Sequence, residues 1–423
     1  MIKKFFFTNF KGFVKAEMAV ENMTTIIGTN ASGKTNAIEG IQILSELMTG
    51  RDLSTILDGS RNTDGEIRGG GKGCCRSGLS HFQLGCLFQY DETHDLEYQV
   101  RIRVNSRIMI ESESLHEILR TQPAPNVQML FATKPARKDS GDIDVKYNNG
   151  KRGNNPEFSC IRISSIISQI PTKLPQNTAQ EKHIAACSIA LIEELKHVLF
   201  LNPSPNAMRG YSRVSDTELK VDASNLSAVL NKLCEDPVKK DILLQTMRQL
   251  PENEIMDITF AEGPMNDIIL FLQERYGTKK EKIDAFRLSD GTLRCLAIMA
   301  ALLTEESGGM IVVEEVDNGI HPGRARSIIQ TISRLARKRR IDVIITTHNA
   351  VMLNSLSRED LAGVDVIYRD TQSGASKFLP LVDIPDMPGL LAEGKLGDVV
   401  TNGRILEYIK EPAPEPDYSW MEV

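Results

Sequence analysis

The chain has 423 residues, a net charge of −6 and a pI near 5.8, with 41% hydrophobic and 25% charged residues. That balance is globular and excludes a disordered or collagen-like chain and a polybasic nucleic-acid binder, although a local basic patch stays compatible with it. The longest apolar run, Cys295–Leu303, has nine residues, well short of the roughly 20 that span a bilayer. Lys3 and Lys4 are followed only by Phe5–Phe7, so no secretory leader is expected. Seven cysteines, an odd number without a CxxC pair, suit free thiols in a reducing cytoplasm.

In chain order, Met23–Ile27 reads as a short buried strand and is followed by Gly28-Thr-Asn-Ala-Ser-Gly33-Lys34-Thr35, an ungapped G-x-x-x-x-G-K-[ST]. Ile38, Ile41, Leu44, Leu47 and Met48 then recur at helical spacing. A loop between strand and helix turns on its glycines, points N–H groups at phosphate oxygens and adds the positive end of the helix. Lys34 is placed to reach β and γ phosphates, and the Thr35 hydroxyl to ligand Mg²⁺. Gly69–Gly73 reads as a loop. His81–Gln89 and Leu96–Val104 are expected to pair around a turn at Asp91–Asp95. The charged stretch 134–155 carries three glycines and reads as an exposed loop. Thr178–Leu199 is a predicted helix with Ile184, Cys187, Leu191, Leu195 and Val198 on one face. Pro203 and Pro205 interrupt the chain, and two further helices are expected over Asn225–Cys234 and Pro237–Leu250. Together, 178–254 is expected to form a small helical arm, serving either partner or DNA contact or plain packing.

Strands return at Ile255–Ala261 and Asp267–Leu272. Leu288-Ser289-Asp290-Gly291-Thr292 then opens the helical run Leu293–Leu303, again an anion-binding start. Ile311–Val313 is a buried strand ending in Glu314-Glu315. The first carboxylate suits a Mg²⁺ site facing the phosphate loop, and the second is placed to polarise a water. The strand Ile341–Ile345 ends in Thr346-Thr347-His348-Asn349, and its histidine can contact a γ-phosphate. Taken singly these have plainer readings: a solvated strand end for Glu314-Glu315, polar surface for His348. Arg334, Arg337, Lys338, Arg339 and Arg340 read as cations capping a helix C-terminus in preference to a DNA patch. Val364–Tyr368 is a predicted strand, and the segment 411–423 is an acidic, proline-rich tail ending near Tyr418 and Trp420.

The order of these motifs resembles that of the ABC-type ATPases. Leu288–Thr292 where that family usually has LSGGQ, and Glu314 where it usually has aspartate, resemble the OLD/RecF-like branch. Phe7–Phe13 resembles the first strand and turn of that branch, and Asn206–Tyr211 another of its segments, with Arg209 expected in a structural salt bridge. The resemblance covers residues 1 to about 370, with its specific motifs at both ends. It implies an α/β ABC-ATPase head: a mixed, largely parallel core sheet flanked by helices, an antiparallel β lobe and a small helical insertion. It implies ATP and Mg²⁺, with Gly28, Asn30, Ser32, Gly33, Lys34, Thr35 and Asn36 around the phosphates and Thr35 and Glu314 on the metal. Ser289, Asp290 and Gly291 would be the signature motif, Asp317 would lie in the D-loop, and Gln169 would be the Q-loop glutamine. Glu315 would be the catalytic glutamate and His348 the switch histidine.

Further implications are a head-to-tail dimer, with ATP on one subunit closed over by Ser289 and Gly291 of the other, and slow hydrolysis. The 255 positions from Lys34 to Ser289 exceed those of transporter subunits and fall short of coiled-coil arm proteins. Only 75 residues follow His348, with no Asp-x-Asp in an α/β setting, so no fused Toprim nuclease is expected. The resemblance then implies a cytoplasmic sensor or scaffold subunit controlling a nuclease supplied in trans, in anti-phage systems such as Septu or PARIS. A DNA-binding repair ATPase and a non-hydrolysing assembly module are its rivals. The expected organisation is an N-terminal ATPase lobe over 1–177, the arm over 178–254, a C-terminal lobe over 255–370, an extension over 371–410 and the tail.

Overall fold

The computed structural model describes residues 1–60, 63–64, 67–120, 126–137, 140–248, 254–384, 387–405 and 407. The tail at 411–423 lies outside them. The chain opens on the hairpin β1 (Ile2–Phe10) and β2 (Phe13–Ala19), where a bulge between Ile2 and Lys4 keeps Ile2, Phe5 and Phe7 all inward. β3 (Met23–Ile27) is buried throughout, and its loop leads into α1 (Lys34–Leu47). α2 (Leu53–Asp58), capped by Asp52, precedes the short pair β4 (Gly59–Ser60) and β5 (Thr63–Asp64). Gly69–Gly73 is not simply a loop: α3 (Gly70–Cys74) forms there because the Asp58 carboxylate accepts from the Gly71 N–H at 2.7 Å.

An antiparallel meander follows: β6 (His81–Gln89), β7 (His94–Val104), β8 (Ile108–Leu119), β9 (Asn126–Thr133), β10 (Asp142–Tyr147) and β11 (Glu157–Ile161). With the first hairpin it makes an eight-stranded sheet in the order β11-β10-β9-β8-β7-β6-β1-β2. The expected exposed loop at 134–155 therefore contains a strand. Ile143, Val145 and Tyr147 alternate inward on β10, a period-two signal hidden among charges and glycines. α4 (Ile170–Lys173) and α5 (Ala179–Lys196) come next, the latter started by a capping box between Thr178 and Glu181.

β12 (Leu199–Leu201), α6 (Pro205–Met208), β13 (Ser212–Arg213), α7 (Leu226–Cys234) and α8 (Pro237–Arg248) lead to β14 (Glu254–Glu262), β15 (Asp267–Tyr276) and β16 (Lys279–Asp284). The last strands pair in the order β13-β15-β14, with β16 also on β15. α9 (Asp290–Thr304) begins where the Ser289 hydroxyl accepts from the Thr292 N–H at 3.2 Å, and it buries Leu293, Leu296 and Leu303 completely. Each such side chain contributes roughly 1.5–3 kcal/mol, and Leu296→Ala is the single change that most directly opens this core.

β17 (Met310–Val313), α10 (Pro322–Arg339), β18 (Asp342–Thr347), α11 (Ala350–Leu353), β19 (Val364–Arg369), β20 (Ser376–Pro380), α12 (Met387–Glu393) and α13 (Leu396–Thr401) complete the order. The core sheet runs β12-β17-β18-β3-β19-β20, parallel except for the antiparallel edge β20. β3 from the N-terminus is thus central, between two strands from the C-terminal half. Its carboxyl edge carries the ends of β3, β17 and β18, where open parallel sheets place ligands.

The described residues of 178–254 take the packing role that the sequence left open beside partner contact. Ile184, Cys187, Leu191 and Leu195 of α5 pack into the same core as the β lobe and α1, β12 joins the core sheet, α7 packs with α9 and β15, and α8 packs with α9 and β14. Helical periodicity shows which face is apolar and says nothing of what covers it. The basic run ends α10 as expected: Arg337 pairs with Asp360 at 2.6 Å, Arg339 donates to the Glu305 carbonyl, and Arg340 takes the left-handed C-cap. Among the described residues no helix is long and apolar enough to cross a membrane. All seven cysteines are free thiols.

Candidate functional site

The Gly28–Thr35 loop follows β3, and Gly33 sits at φ 122°, a backbone region that side-chain-bearing residues avoid. Lys34 turns its ammonium back onto the loop, donating to the Gly28 carbonyl at 2.7 Å and the Thr29 carbonyl at 3.1 Å. Burial lowers its pKa, while Glu315, Asp317 and Glu314 pull it back up. Three carboxylates from the next segment of sheet thus stand within electrostatic reach of one lysine. The Ser32 hydroxyl is buried without a hydrogen-bond partner among the described residues, while Asn30 stands exposed at the tip and Asn36 faces Gly12.

Glu314 leaves β17 and accepts from the Thr35 hydroxyl at 2.5 Å, joining the loop of β3 to the end of β17. Glu315 follows at φ 49°, a left-handed conformation that costs a non-glycine residue about 1–2 kcal/mol. The turn is held because the Glu315 N–H donates to the Thr346 hydroxyl at 2.8 Å. Its carboxylate is exposed, with the Asn318 amide donating to it at 3.4 Å. Asp317 is only 5% exposed and lies 3.7 Å from the Nδ1 of His348, itself 60% exposed just beyond β18. Among the described residues, Asp317 keeps one buried oxygen without a hydrogen bond.

The helix start at Ser289 meets this cluster through the Asp317–Ile320 turn. A Cβ on Gly291 would stand 2.8 Å from the Gly319 carbonyl, so glycine is what lets α9 approach the turn. Asp290 points the other way, to Arg209 at 2.5 Å, and the same guanidinium donates to the Leu288 carbonyl at 3.1 Å. Arg209 is in the ion pair expected of it.

Gln169 is not brought to this site. Its amide is closed on its own segment: the oxygen accepts from Ile161 N–H at 3.1 Å, and the nitrogen donates to the Ile161 carbonyl at 2.9 Å and the Ser165 carbonyl at 3.1 Å. Ser165 in turn donates to the carbonyl of Leu47, at the end of α1 opposite the phosphate loop.

Two contributors were not visible in the sequence. Ser376, first residue of β20, donates to the Ser32 carbonyl at 2.6 Å while its N–H donates to Gly12 at 2.8 Å. Phe378 on the same strand stacks on Phe13 with ring centroids 5.4 Å apart, holding β20 against the first hairpin. Arg68 is the other. It binds buried Glu39, which Lys11 also binds, and it lines an open cleft of about 550 Å³ with Thr35, Gln42, Glu314 and Glu315. Neither has a local signal, since a serine at a strand start and an arginine in a loop are ordinary.

A P-loop head with a mixed α/β core sheet and an antiparallel β lobe is what fold and site define. The chain belongs to the AAA ATPase domain family, whose model matches residues 1–233, more than half of it. A second family model, the AbiEii-toxin-like AAA domain of Type IV TA systems, matches residues 187–354. The fold is similar to that of an Smc head crystallised with the C-winged helix domain of ScpA, at 12% identity and TM-score 0.51, covering 89% of this chain and 97% of that one. Two looser likenesses are an SMC head domain from Thermotoga maritima (12% identity, 90% and 98% covered, TM-score 0.38) and a Pyrococcus furiosus Smc head with an extended coiled coil (13%, 97% and 99%, TM-score 0.43). No curated protein matches. The chain is therefore a member of the AAA ATPase domain family with a fold like that of an SMC head.

Proposed function

We propose that this head binds ATP·Mg²⁺ on the Gly28–Thr35 loop, hydrolyses it slowly at a head-to-tail dimer interface, and acts as the sensor or scaffold subunit for a nuclease supplied in trans in anti-phage defence. The observation that carries the nucleotide part is the Thr35–Glu314 hydrogen bond. It puts a hydroxyl from the first turn of α1 and a carboxylate from the end of β17 beside one half-buried lysine, the hard oxygen donors that Mg²⁺ takes. Thr35 and Glu314 would hold the ion, which would neutralise charge on the phosphates. Ser32, with its unpartnered buried hydroxyl, and Lys34, now spent on loop carbonyls, are the groups with hydrogen-bonding capacity to offer a phosphate.

Glu315 is the residue we assign to accept the proton of the attacking water. His348, held toward Asp317, is assigned to the γ-phosphate. Ser289, Asp290 and Gly291 are assigned to a second copy's nucleotide, and the Asp317–Ile320 turn to the same interface. The second family model supports a two-component setting, since it describes toxin–antitoxin systems. Two cations of the basic run, Arg337 and Arg339, are engaged within the fold, which favours the capping reading of that run over a DNA patch.

The test mixes purified protein with the product of the neighbouring gene. Nuclease activity that follows the nucleotide state supports the proposal. Tight ATP-dependent DNA binding by this chain alone, with a steep salt slope, overturns the trans-effector part. ATP held without phosphate release overturns the hydrolytic part.

A further inference from the structure

Away from the nucleotide site, one cluster of metal-ligating side chains joins two elements. His183 and Cys187 are one helical turn apart on α5, so they share a face. That face lies on the β lobe, where Glu113, Leu115 and Glu117 of β8 alternate inward. Glu117 reaches the Nε2 of His183 at 2.8 Å, and the Cys187 sulfur lies 3.5 Å from the same nitrogen.

We propose that Glu117, His183 and Cys187 form a site for a thiophilic divalent cation of the zinc class, clamping α5 to the β lobe. Zinc bonds of about 2.3 Å to sulfur and 2.0–2.1 Å to nitrogen make a tetrahedral N–S edge of about 3.5 Å, equal to the Sγ–Nε2 distance; the sulfur is also 3.9 Å from Nδ1, so the His183 ring turns about its Cβ–Cγ bond to aim the Nε2 lone pair at the ion. The N–O edge of such a site is slightly longer than the existing hydrogen bond, so the ion enters by replacing that bond with a small outward shift of Glu117. One oxygen, one nitrogen and one sulfur suit zinc and not Mg²⁺ or Ca²⁺. A carboxylate, a thiolate and a neutral imidazole sum to the ion's own charge, so the loaded site is neutral.

His183 is 35% exposed and Glu117 11%, which gives the ion a path in and leaves a fourth position to water. Cys187 is fully buried beneath them, with the Tyr90 hydroxyl beside its thiol. Burial holds that thiol protonated, its pKa pushed up to about 12. Binding therefore breaks the S–H bond and forms a sulfur–metal bond, with the proton passing to solvent and no electron changing hands. A proton on Nε2 is likewise released or moved to Nδ1.

The test adds Co²⁺ to the full-length protein purified in chelator and then freed of it. The expected result is a near-ultraviolet sulfur-to-cobalt charge-transfer band with ligand-field bands of tetrahedral intensity, displaced by equimolar Zn²⁺. Cys187→Ser removes the charge-transfer band, His183→Ala weakens binding more than tenfold, and Glu117→Gln weakens it less. Circular dichroism of each variant shows whether the fold survives. Absence of the charge-transfer band, or its persistence in Cys187→Ser, overturns the site and leaves only a His–Glu ion pair.

Discussion

Replacing Ser376 with alanine tests whether the phosphate loop is shaped from outside. The hydroxyl donates to the Ser32 carbonyl at 2.6 Å, and Ser376 is 4% exposed. Removing it leaves a buried carbonyl without that donor, which costs about 1–3 kcal/mol. Were the loop rigid by itself, the whole cost would fall on folding and nucleotide affinity would be unchanged. The loop's own restraints are few: Gly33 at φ 122°, Ala31 at φ 64° and the Lys34 contacts that a nucleotide displaces. We therefore expect Ser376→Ala to weaken binding of a fluorescent ATP analogue by about 1–2 kcal/mol, roughly 5- to 30-fold, with a smaller loss of thermal stability. Ser376→Val is expected to be worse. The Ser376 oxygen already lies 2.5 Å and 2.8 Å from where a Cβ on Gly12 or Gly33 would stand, so branched methyls push the loop. Wild-type affinity in Ser376→Ala, with any loss confined to melting temperature, refutes the buttress.

Three other perturbations have defined outcomes. Gly291→Ala gains about 1 kcal/mol of helix propensity but sets a methyl 2.8 Å from the Gly319 carbonyl. Phosphate release is expected to fall about 10- to 100-fold, as for a displacement near 1 Å, with ATP affinity kept, and wild-type turnover would remove the link between α9 and the 317–320 turn. Glu315→Gln is expected to cut turnover by about 10²–10⁴ while binding ATP and accumulating a dimer on native sizing, and unchanged turnover rejects Glu315 as base. Glu113, fully buried, accepts from Ile166 and Ile167 N–H and the Tyr98 hydroxyl, and burial pushes its pKa up to about 7. A carboxyl raised above its unfolded value near 4.5 stabilises the fold at low pH and loses that contribution as pH rises through 7, here about 3 kcal/mol. Glu113→Gln should flatten the wild-type decline in denaturation midpoint between pH 5 and 8. Glu305 and Asp365 near 7 and Asp342 near 6 act in the same direction and remain in the variant.

The contiguous motifs were legible because their chemistry is local. Gly28–Thr35 lies between a strand and a helix, and Glu314-Glu315 ends a buried strand, as read from periodicity. What was not legible depends on contacts distant in the chain. Ser376 acts on Ser32 across 344 positions, and nothing near it distinguishes it from any serine. Gln169 follows an apolar run and looked available, yet the backbone of Ile161 and Ser165 takes all of its amide. β16 was missed because Lys279–Asp284 is almost wholly charged and exposed, an edge strand without an apolar face. The helical periodicity of α5 marks its apolar face but not the sheet that covers it, so the sequence leaves partner contact and plain packing undecided where the structure shows packing.

The placement of β3 sets an order on the chain's birth. Ribosomes deliver Met23–Thr35 first, but the strands that flank β3 begin at Asp342 and Val364, and the serine that props the loop is residue 376. At ~5–20 residues per second, the nascent phosphate loop waits on the order of 20–70 s for its neighbours. The β lobe, whose strands all precede residue 162, can fold in that interval. Competence to take up nucleotide therefore follows synthesis of residues 342–376, more than 300 positions after the loop itself.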